Sequence, residues 1–287
     1  MAGHTGATMT TLPATFIFSQ SSLRDYQACP RRFQLRYLER LAWPAPQTAD
    51  ALEAERRQAL GQAFHRLARQ HQLGLAAAAL APLAALDGEL ANWWAAYLAS
   101  PYAARPGSVR RAELTLSAPL AGYRVEAQYD LVAGTPGGTW TIVDWKTERH
   151  RPARGALERR IQTVVYRCLL ALAGAGLNGG LPIAPEQISM VYWFAAFPLQ
   201  PEVLPYSAPQ FGQDLANLAA LIGEVAARPA DPWPQASDER TCQFCPYRSP
   251  CSRQVALASL AEFEAAGEGE SPQPLELDFA QVEEVAF

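Results

Sequence analysis

Asp130, Asp144 and Lys146 are the residues whose types and spacing most clearly indicate chemistry. Asp144 and Lys146 lie two positions apart, so their side chains share one face if the segment is a strand. Two carboxylates suit a hard divalent ion such as Mg²⁺ or Mn²⁺. Such an ion polarises a phosphate and lowers the pKa of a bound water, which a nearby ammonium can hold in place. These residues therefore predict metal-dependent hydrolysis of a phosphodiester.

Lys146 is also the only lysine among 24 basic residues. A compact ammonium fits a confined space that a planar guanidinium does not, so a lone lysine in an arginine-rich chain indicates a specific function.

Three further residues could complete the site. His65, in the segment Gly61-x-x-x-His65, lies on a predicted helix before the sheet and could add an imidazole to the metal ligands. Gln162 and Tyr166 lie four positions apart on a later predicted helix and so share one face. That face could direct hydrogen-bond donors towards the phosphate or the attacking water.

The elements that must position these residues form a predicted α/β unit. Period-2 and apolar patterns predict strands at 112–117, 123–133, 139–145 and 187–196, with a turn at 134–138. Asp130 lies late in the second strand and Asp144 at the end of the third, so an antiparallel meander would bring them together. Glu113, on the first strand, could also contact the metal, and Glu126 has no assigned role.

Helices are predicted around this sheet, at 22–43, 51–72, 76–99, 154–173 and 210–228, with a short one reaching residue 266. Ser22 is expected to begin the first helix, with Asp25 completing a capping box. Pro82 is expected to break the third helix. Residues 1–20 are expected to be disordered, and residues 267–287 to form a flexible acidic tail.

Four of the five cysteines have the spacing of a metal site. Cys242, Cys245 and Cys251 lie close in sequence, and Cys29 would supply a fourth ligand. No export signal is visible, which favours metal binding over disulfides. On spacing alone, tetrahedral Zn²⁺ and an iron–sulfur cluster both remain possible. Cys168 lies in an apolar segment and is expected in the core.

The sequence resembles the PD-(D/E)XK nucleases, within them the branch that contains RecB-family exonucleases and CRISPR-adaptation nucleases. The resemblance runs from Ser21 to about Cys251. It is carried by Ser-x-Leu-x-x-Tyr-x-x-Cys-Pro-x-x-Phe at 21–33, His65, Asp130, Asp144-Trp145-Lys146, Gln162-x-x-x-Tyr166 and the terminal cysteines. Ala127 departs from the glycine that often precedes the first aspartate by three residues, and no proline precedes Asp130.

This resemblance implies a restriction-endonuclease-like core, a mixed central sheet flanked by helices. It implies one nuclease domain over 21–266, with a helical insertion at about 73–100 and a C-terminal metal-cluster segment. It further implies that the metal is bound by His65, Asp130 and Asp144, that Lys146 assists the water, and that Gln162 and Tyr166 support the site. A [4Fe–4S] cluster is implied on Cys29, Cys242, Cys245 and Cys251.

Three functions fit these features. The first is a DNA exonuclease acting on single strands or ends in repair and recombination, alone or with a helicase. The second is a CRISPR-adaptation nuclease that trims ends, which shares every motif, although the insertion at 73–99 is longer than expected there. The third is a catalytically silent scaffold that binds DNA ends, against which the intact Asp130, Asp144 and Lys146 argue.

The charge distribution is compatible with DNA as the partner. Net charge is −4, but eight acidic residues and no basic ones follow Arg253, so the preceding chain is net positive. The tail ends in Val285-Ala286-Phe287 and could dock a repair protein, fold back on a basic groove or only aid solubility. No membrane span or secretory signal is visible, so a cytoplasmic location without membrane contact is expected.

Overall fold

The computed structural model describes residues 12–41, 49–104, 108–230, 232–243 and 245–253. Its strands are β1 (Ile17–Ser19), β2 (Val109–Leu120), β3 (Tyr123–Gly134), β4 (Trp140–Lys146), β5 (Ile188–Phe194) and β6 (Glu202–Pro205). Its α-helices are α1 (Gln20–Ala28), α2 (Pro30–Phe33), α3 (Ala49–Gln72), α4 (Ala77–Ala84), α5 (Gly88–Ala99), α6 (Arg154–Arg159), α7 (Ile161–Ala173), α8 (Ala208–Ala226) and α9 (Arg240–Gln243).

The six strands form one mixed sheet in the order β1-β3-β4-β5-β6, with β2 paired to β3. The β2–β3, β3–β4 and β5–β6 pairs are antiparallel, and the β1–β3 and β4–β5 pairs are parallel. A parallel pair needs a crossover, which α6 and α7 supply between β4 and β5. The central β4 is buried along its whole length, because helices cover both faces of the sheet. This architecture confirms the predicted fold class.

The catalytic candidate Asp130 lies where β3 changes its neighbour. One edge of β3 pairs with β1 over Arg124–Glu126 and with β4 over Leu131–Gly134. Asp130 immediately precedes the second pairing. Its Oδ2 accepts a hydrogen bond of 2.8 Å from the backbone N–H of Trp145, so the carboxylate replaces a strand partner. The Asp130 side chain is thereby fixed at the point where β3 and β4 separate.

The face alternation of β3 also shifts at Asp130. Tyr129 belongs to the core beside α7, whereas Leu131 belongs to the core on the opposite face. Alternate residues of a regular strand would share a face, so the strand is distorted between them. On β2, Glu113 falls at the same point of the ladder and has a left-handed φ of 51°. That conformation costs roughly 1–2 kcal/mol for an L-residue, so strain lies beside Asp130.

Trp145 determines which way its neighbours point. Its ring packs on the face covered by α3 and α5, 5.2 Å from the ring centroid of Tyr97 and 5.7 Å from that of Trp193. Successive strand residues point to opposite faces. Asp144 and Lys146 are therefore directed to the face covered by α7.

Strand β1 corrects the expectation that residues 1–20 are disordered. Phe16 and Phe18 are buried, with ring centroids 5.5 and 6.4 Å from that of Phe33. A strand of three residues is too short to show alternation in the sequence. The four-residue β6 was not predicted for the same reason.

The first helix starts and ends earlier than predicted. Ser19, not Ser22, is the N-cap, and the two serines form the capping box. Asp25 is buried and ion-paired with arginines instead of completing that box. The helix ends before Cys29, whose extended backbone precedes Pro30, because a residue before proline disfavours the helical conformation.

Two further helix boundaries differ from prediction. The predicted helix at 154–173 is interrupted at Arg160, whose ψ of 134° is not helical. Pro82 lies inside α4, and the break comes instead at Asp87, which caps α5 by accepting hydrogen bonds from two backbone N–H groups.

Some expectations fall on residues outside the described ranges. These are the disorder of residues 1–11, the end of the short helix reaching residue 266, and the flexible tail at 267–287. Within the described ranges, no helix combines the length and apolar character needed to cross a bilayer.

Candidate active site

His65 on α3 reaches the distorted point of the sheet. Its Nδ1 lies 3.3 Å from Oδ1 of Asp130, and about a third of the imidazole is exposed. Burial lowers the pKa of His65, but the charge and hydrogen bond of Asp130 outweigh it and raise that pKa. Burial likewise raises the pKa of Asp130, but His65 and the N–H of Trp145 outweigh it and lower that pKa. Each of the two side chains therefore favours the charged form of the other.

Gln162 connects Asp144 and Lys146. Its Nε2 donates to Oδ1 of Asp144 at 2.9 Å, and its Oε1 accepts from Nζ of Lys146 at 3.1 Å. Nζ also lies 3.0 Å from Oδ2 of Asp144. All three side chains are buried, so the amide orients a carboxylate and an ammonium with little interference from water.

The carboxyl group of Asp144 is held in an environment that disfavours its charge. Burial is the main cause, and the nearby charge of Asp130 adds to it, while Lys146 opposes both. The net effect is that the pKa of Asp144 is raised to about 6. A buried carboxylate of this kind gains from a cation beside it.

Tyr166 lies near the same carboxylates. Burial raises its pKa well above the usual value, and the charges of Asp144 and Asp130 raise it further, while a hydrogen bond with Gln162 opposes them. Its ring centroid lies 4.8 Å from that of Tyr129, whose hydroxyl donates to the backbone oxygen of Tyr166 at 2.9 Å. All six residues proposed for the site from the sequence are thus brought to one region.

Glu113, predicted only as an additional metal contact, also lies in this region. Burial raises its pKa, and the charge of Asp130 raises it further. Its Oε2 accepts a hydrogen bond of 2.7 Å from Gln128. A sequence signal existed: Ala121-Gly122 forms a two-residue hairpin turn with both φ angles positive, and that turn fixes Glu113 opposite Asp130.

The donor set at this point of the sheet fits a divalent ion. Across the described residues, no three His, Cys, Asp or Glu side chains already stand as a ready metal site. However, Oδ2 of Asp144 is buried and accepts no hydrogen bond from those residues, despite its ion pair with Lys146. Two carboxylates, with His65 beside them, are ligands that Mg²⁺ or Mn²⁺ accepts.

The four cysteines predicted to bind a metal come from the α1–α2 junction and the C-terminal segment: Cys29, Cys242, Cys245 and Cys251. None forms a disulfide. Burial raises the pKa of each of the last three thiols, and the charge of Cys29 contributes a further increase in each case. Cys29 therefore lies within electrostatic range of all three, although among the described residues no three of these thiols stand together as a ready metal site. Cys168 lies apart from them, buried in α7, as expected for a core residue.

Comparisons with known proteins identify the family. The PD-(D/E)XK nuclease superfamily matches residues 17–252. A crystal structure of a candidate exonuclease from Eubacterium rectale aligns with a TM-score of 0.46 and 10% identity, over 85% of this chain and 90% of that one. The protein SSO0001 aligns with a TM-score of 0.31 and 14% identity, over 51% and 62%. No curated protein matches. The superfamily match spans most of the chain, which therefore belongs to the PD-(D/E)XK nuclease superfamily.

Proposed function

We propose that this nuclease is a Mg²⁺- or Mn²⁺-dependent deoxyribonuclease that acts as an exonuclease on single strands or DNA ends in repair or recombination. The observation that carries the proposal is the Asp144–Gln162–Lys146 arrangement beside Asp130. It joins carboxylates that can bind a catalytic cation to a buried ammonium that can act on water.

The residues have distinct roles in this proposal. Asp130, Asp144 and His65 hold the divalent ion, with Glu113 within reach on β2. When bound, the ion neutralises charge on the phosphate and makes water more acidic. Lys146 orients the attacking water and stabilises negative charge that develops in the transition state. Gln162 keeps the Lys146 ammonium and the Asp144 carboxylate in place.

Arginines on two sides of the site support a polyanionic substrate. Arg69, exposed on α3, is close enough to lower the pKa of Glu113, although burial raises that pKa overall. Arg149 and Arg154 follow β4, with 45% and 47% of their side chains exposed. Guanidinium groups contact DNA phosphates without regard to base sequence, as an exonuclease needs.

We further propose a structural [4Fe–4S] cluster on these four cysteines, Cys29, Cys242, Cys245 and Cys251, with Zn²⁺ as the alternative. Arg31, Arg32 and Arg253 lie near these thiols and lower their pKa values against burial, so their charges would offset those of four thiolates. The segments also meet directly, since the N–H of Arg31 donates to the backbone oxygen of Pro234 at 3.1 Å. A cluster would join the α1–α2 region to the C-terminal segment.

Linear and circular single-stranded DNA of equal length test the substrate proposal, with Mn²⁺ present and duplex DNA and RNA in parallel. An exonuclease should shorten the linear DNA and leave the circles intact. Equal degradation of the circles would contradict end dependence. Preferential degradation of RNA would contradict DNA as the substrate.

A further inference from the structure

Arg160 lies beside the catalytic residues but has no role in the mechanism above. It is the residue that separates α6 from α7, two positions before Gln162. Its guanidinium carbon lies 5.9 Å from the ring centroid of Tyr192, and Nζ of Lys146 lies 5.7 Å from the same centroid. The guanidinium and the catalytic ammonium therefore lie beside the same aromatic ring.

The start of α7 adds to the positive potential around Arg160. No side chain caps this N-terminus, and its first turn holds no acidic residue. The 13-residue helix thus directs its positive dipole end, with backbone N–H groups, towards the region of Lys146. A guanidinium next to a helix N-terminus is an arrangement suited to a phosphate group.

Glu148 is the acidic group that faces this positive region. Its Oε2 lies 3.6 Å from Nη2 of Arg160, which is long for an ion pair, and only 9% of its side chain is exposed. The other oxygen, Oε1, is buried and has no hydrogen-bond partner among the described residues. Within the described part of the chain, this buried carboxylate has one long contact, which holds it weakly, so another anion competes with it readily for the guanidinium.

We propose that Arg160, with the N-terminus of α7, binds a phosphate of the substrate strand next to the scissile one, and that Glu148 occupies Arg160 until the strand arrives. This inference rests on the proposed DNA nuclease function and adds a substrate-positioning residue to it. A phosphate displaces Glu148 because it offers Arg160 a stronger, bidentate partner.

The two members of the pair should therefore change substrate affinity in opposite directions. Arg160→Gln removes the phosphate contact and should raise KM about tenfold or more, with a smaller change in kcat. Glu148→Gln removes the competing anion and should lower KM about two- to fivefold. If the ion pair were only structural, both variants would impair the protein in the same direction.

Arg159→Gln is the matched control, because Arg159 is the exposed neighbouring residue and loses the same charge. Binding of a fluorescent single-stranded oligonucleotide would be measured in EDTA over a range of salt concentrations. Arg160→Gln should reduce the slope of log affinity against log salt by about 0.7, the value for one phosphate contact on a single strand. Arg159→Gln should leave the slope and KM near those of the wild type.

A scan of oligonucleotides, each with one uncharged methylphosphonate, locates the phosphate. Wild type should lose cleavage rate at one position beside the scissile bond, and Arg160→Gln should be insensitive there. Equal behaviour of the Arg160 and Arg159 variants would overturn the inference while leaving the nuclease function intact. A wild type that neither binds nor cuts DNA would overturn both.

Discussion

Replacing Gln162 with leucine should impair catalysis far more than folding. Gln162→Leu keeps most of the side-chain volume but removes the amide that contacts Asp144 at 2.9 Å and Lys146 at 3.1 Å. Hydrogen bonds to charged groups are each worth roughly 1.5–3 kcal/mol. Lys146 retains its 3.0 Å contact with Asp144, so we expect to lose about one such bond in the transition state. That loss corresponds to a fall in kcat of roughly 10- to 150-fold.

The assay is cleavage of an end-labelled single strand at saturating DNA and Mn²⁺, with thermal unfolding measured in parallel. Thr163→Val is the matched control on the same helix. Its hydroxyl hydrogen-bonds the backbone oxygen of Leu157 at 2.6 Å and the hydroxyl of Tyr192 at 2.7 Å, without touching a charged group. The control should lose stability but keep kcat within a few fold. An unchanged kcat in Gln162→Leu, or equal losses in both variants, would refute the positioning role.

Three other predictions concern Lys146, Asp144 and the cysteines. Lys146→Arg should abolish most cleavage while DNA affinity is retained, because a planar guanidinium does not fit the buried position of Lys146. Full cleavage activity of this variant in a gel assay would contradict the prediction. The pKa of Asp144 is raised from 3.8 to about 6, so the metal-free protein should become less stable as pH rises through that interval. Denaturant titrations at several pH values measure this, and Asp144→Asn should flatten the dependence of unfolding free energy on pH. Metal affinity should rise over the same interval, since a proton competes for the carboxylate. Protein purified without oxygen should be brown, with about four irons per chain. Cys245→Ser should lose this colour and Cys168→Ser should keep it. A colourless preparation with stoichiometric zinc would show that the four cysteines bind Zn²⁺ instead.

The central part of the fold was predictable from the sequence because its elements are long and strongly patterned. β3 and β4 carry continuous apolar or alternating runs, and α7 and α8 carry clear helical spacing. The Asp130–Asp144 approach followed from the short turn between their strands. By contrast, β1 depends on the pairing of only three residues with β3, which no local pattern reveals.

The distortion at Asp130 was not predictable from local patterns. Periodicity treats β3 as one regular strand, but its exchange of β1 for β4 as neighbour shifts the alternation between Tyr129 and Leu131. The neighbours of a strand are determined by tertiary structure, which local patterns do not contain. The proximity of Glu113 to Asp130 agrees with the suggested metal contact of Glu113, and the Ala121-Gly122 turn, which fixes the register of the hairpin, is its physical basis.

The interruption at Arg160 was hidden because no glycine or proline lies between residues 156 and 173 to mark a break. The non-helical ψ of Arg160 depends on how α6 and α7 pack on the sheet, a contribution that local propensity does not contain. This break is nevertheless what places Arg160 beside Tyr192 and frees the N-terminus of α7 to face the site.

Metal-dependent cleavage by carboxylate variants tests the central claim most directly. Asp130→Asn and Asp144→Asn would be compared with wild type on the same labelled single strand, with Mn²⁺ or with EDTA. Asp214→Asn is the control, since this carboxylate is ion-paired with Arg167 at 3.3 Å, away from the site. We predict cleavage by wild type and the control only when Mn²⁺ is present, and none by the two site variants, which should remain folded. Wild-type cleavage in EDTA, or undiminished cleavage by either site variant, would contradict a metal-dependent nuclease centre at Asp130 and Asp144.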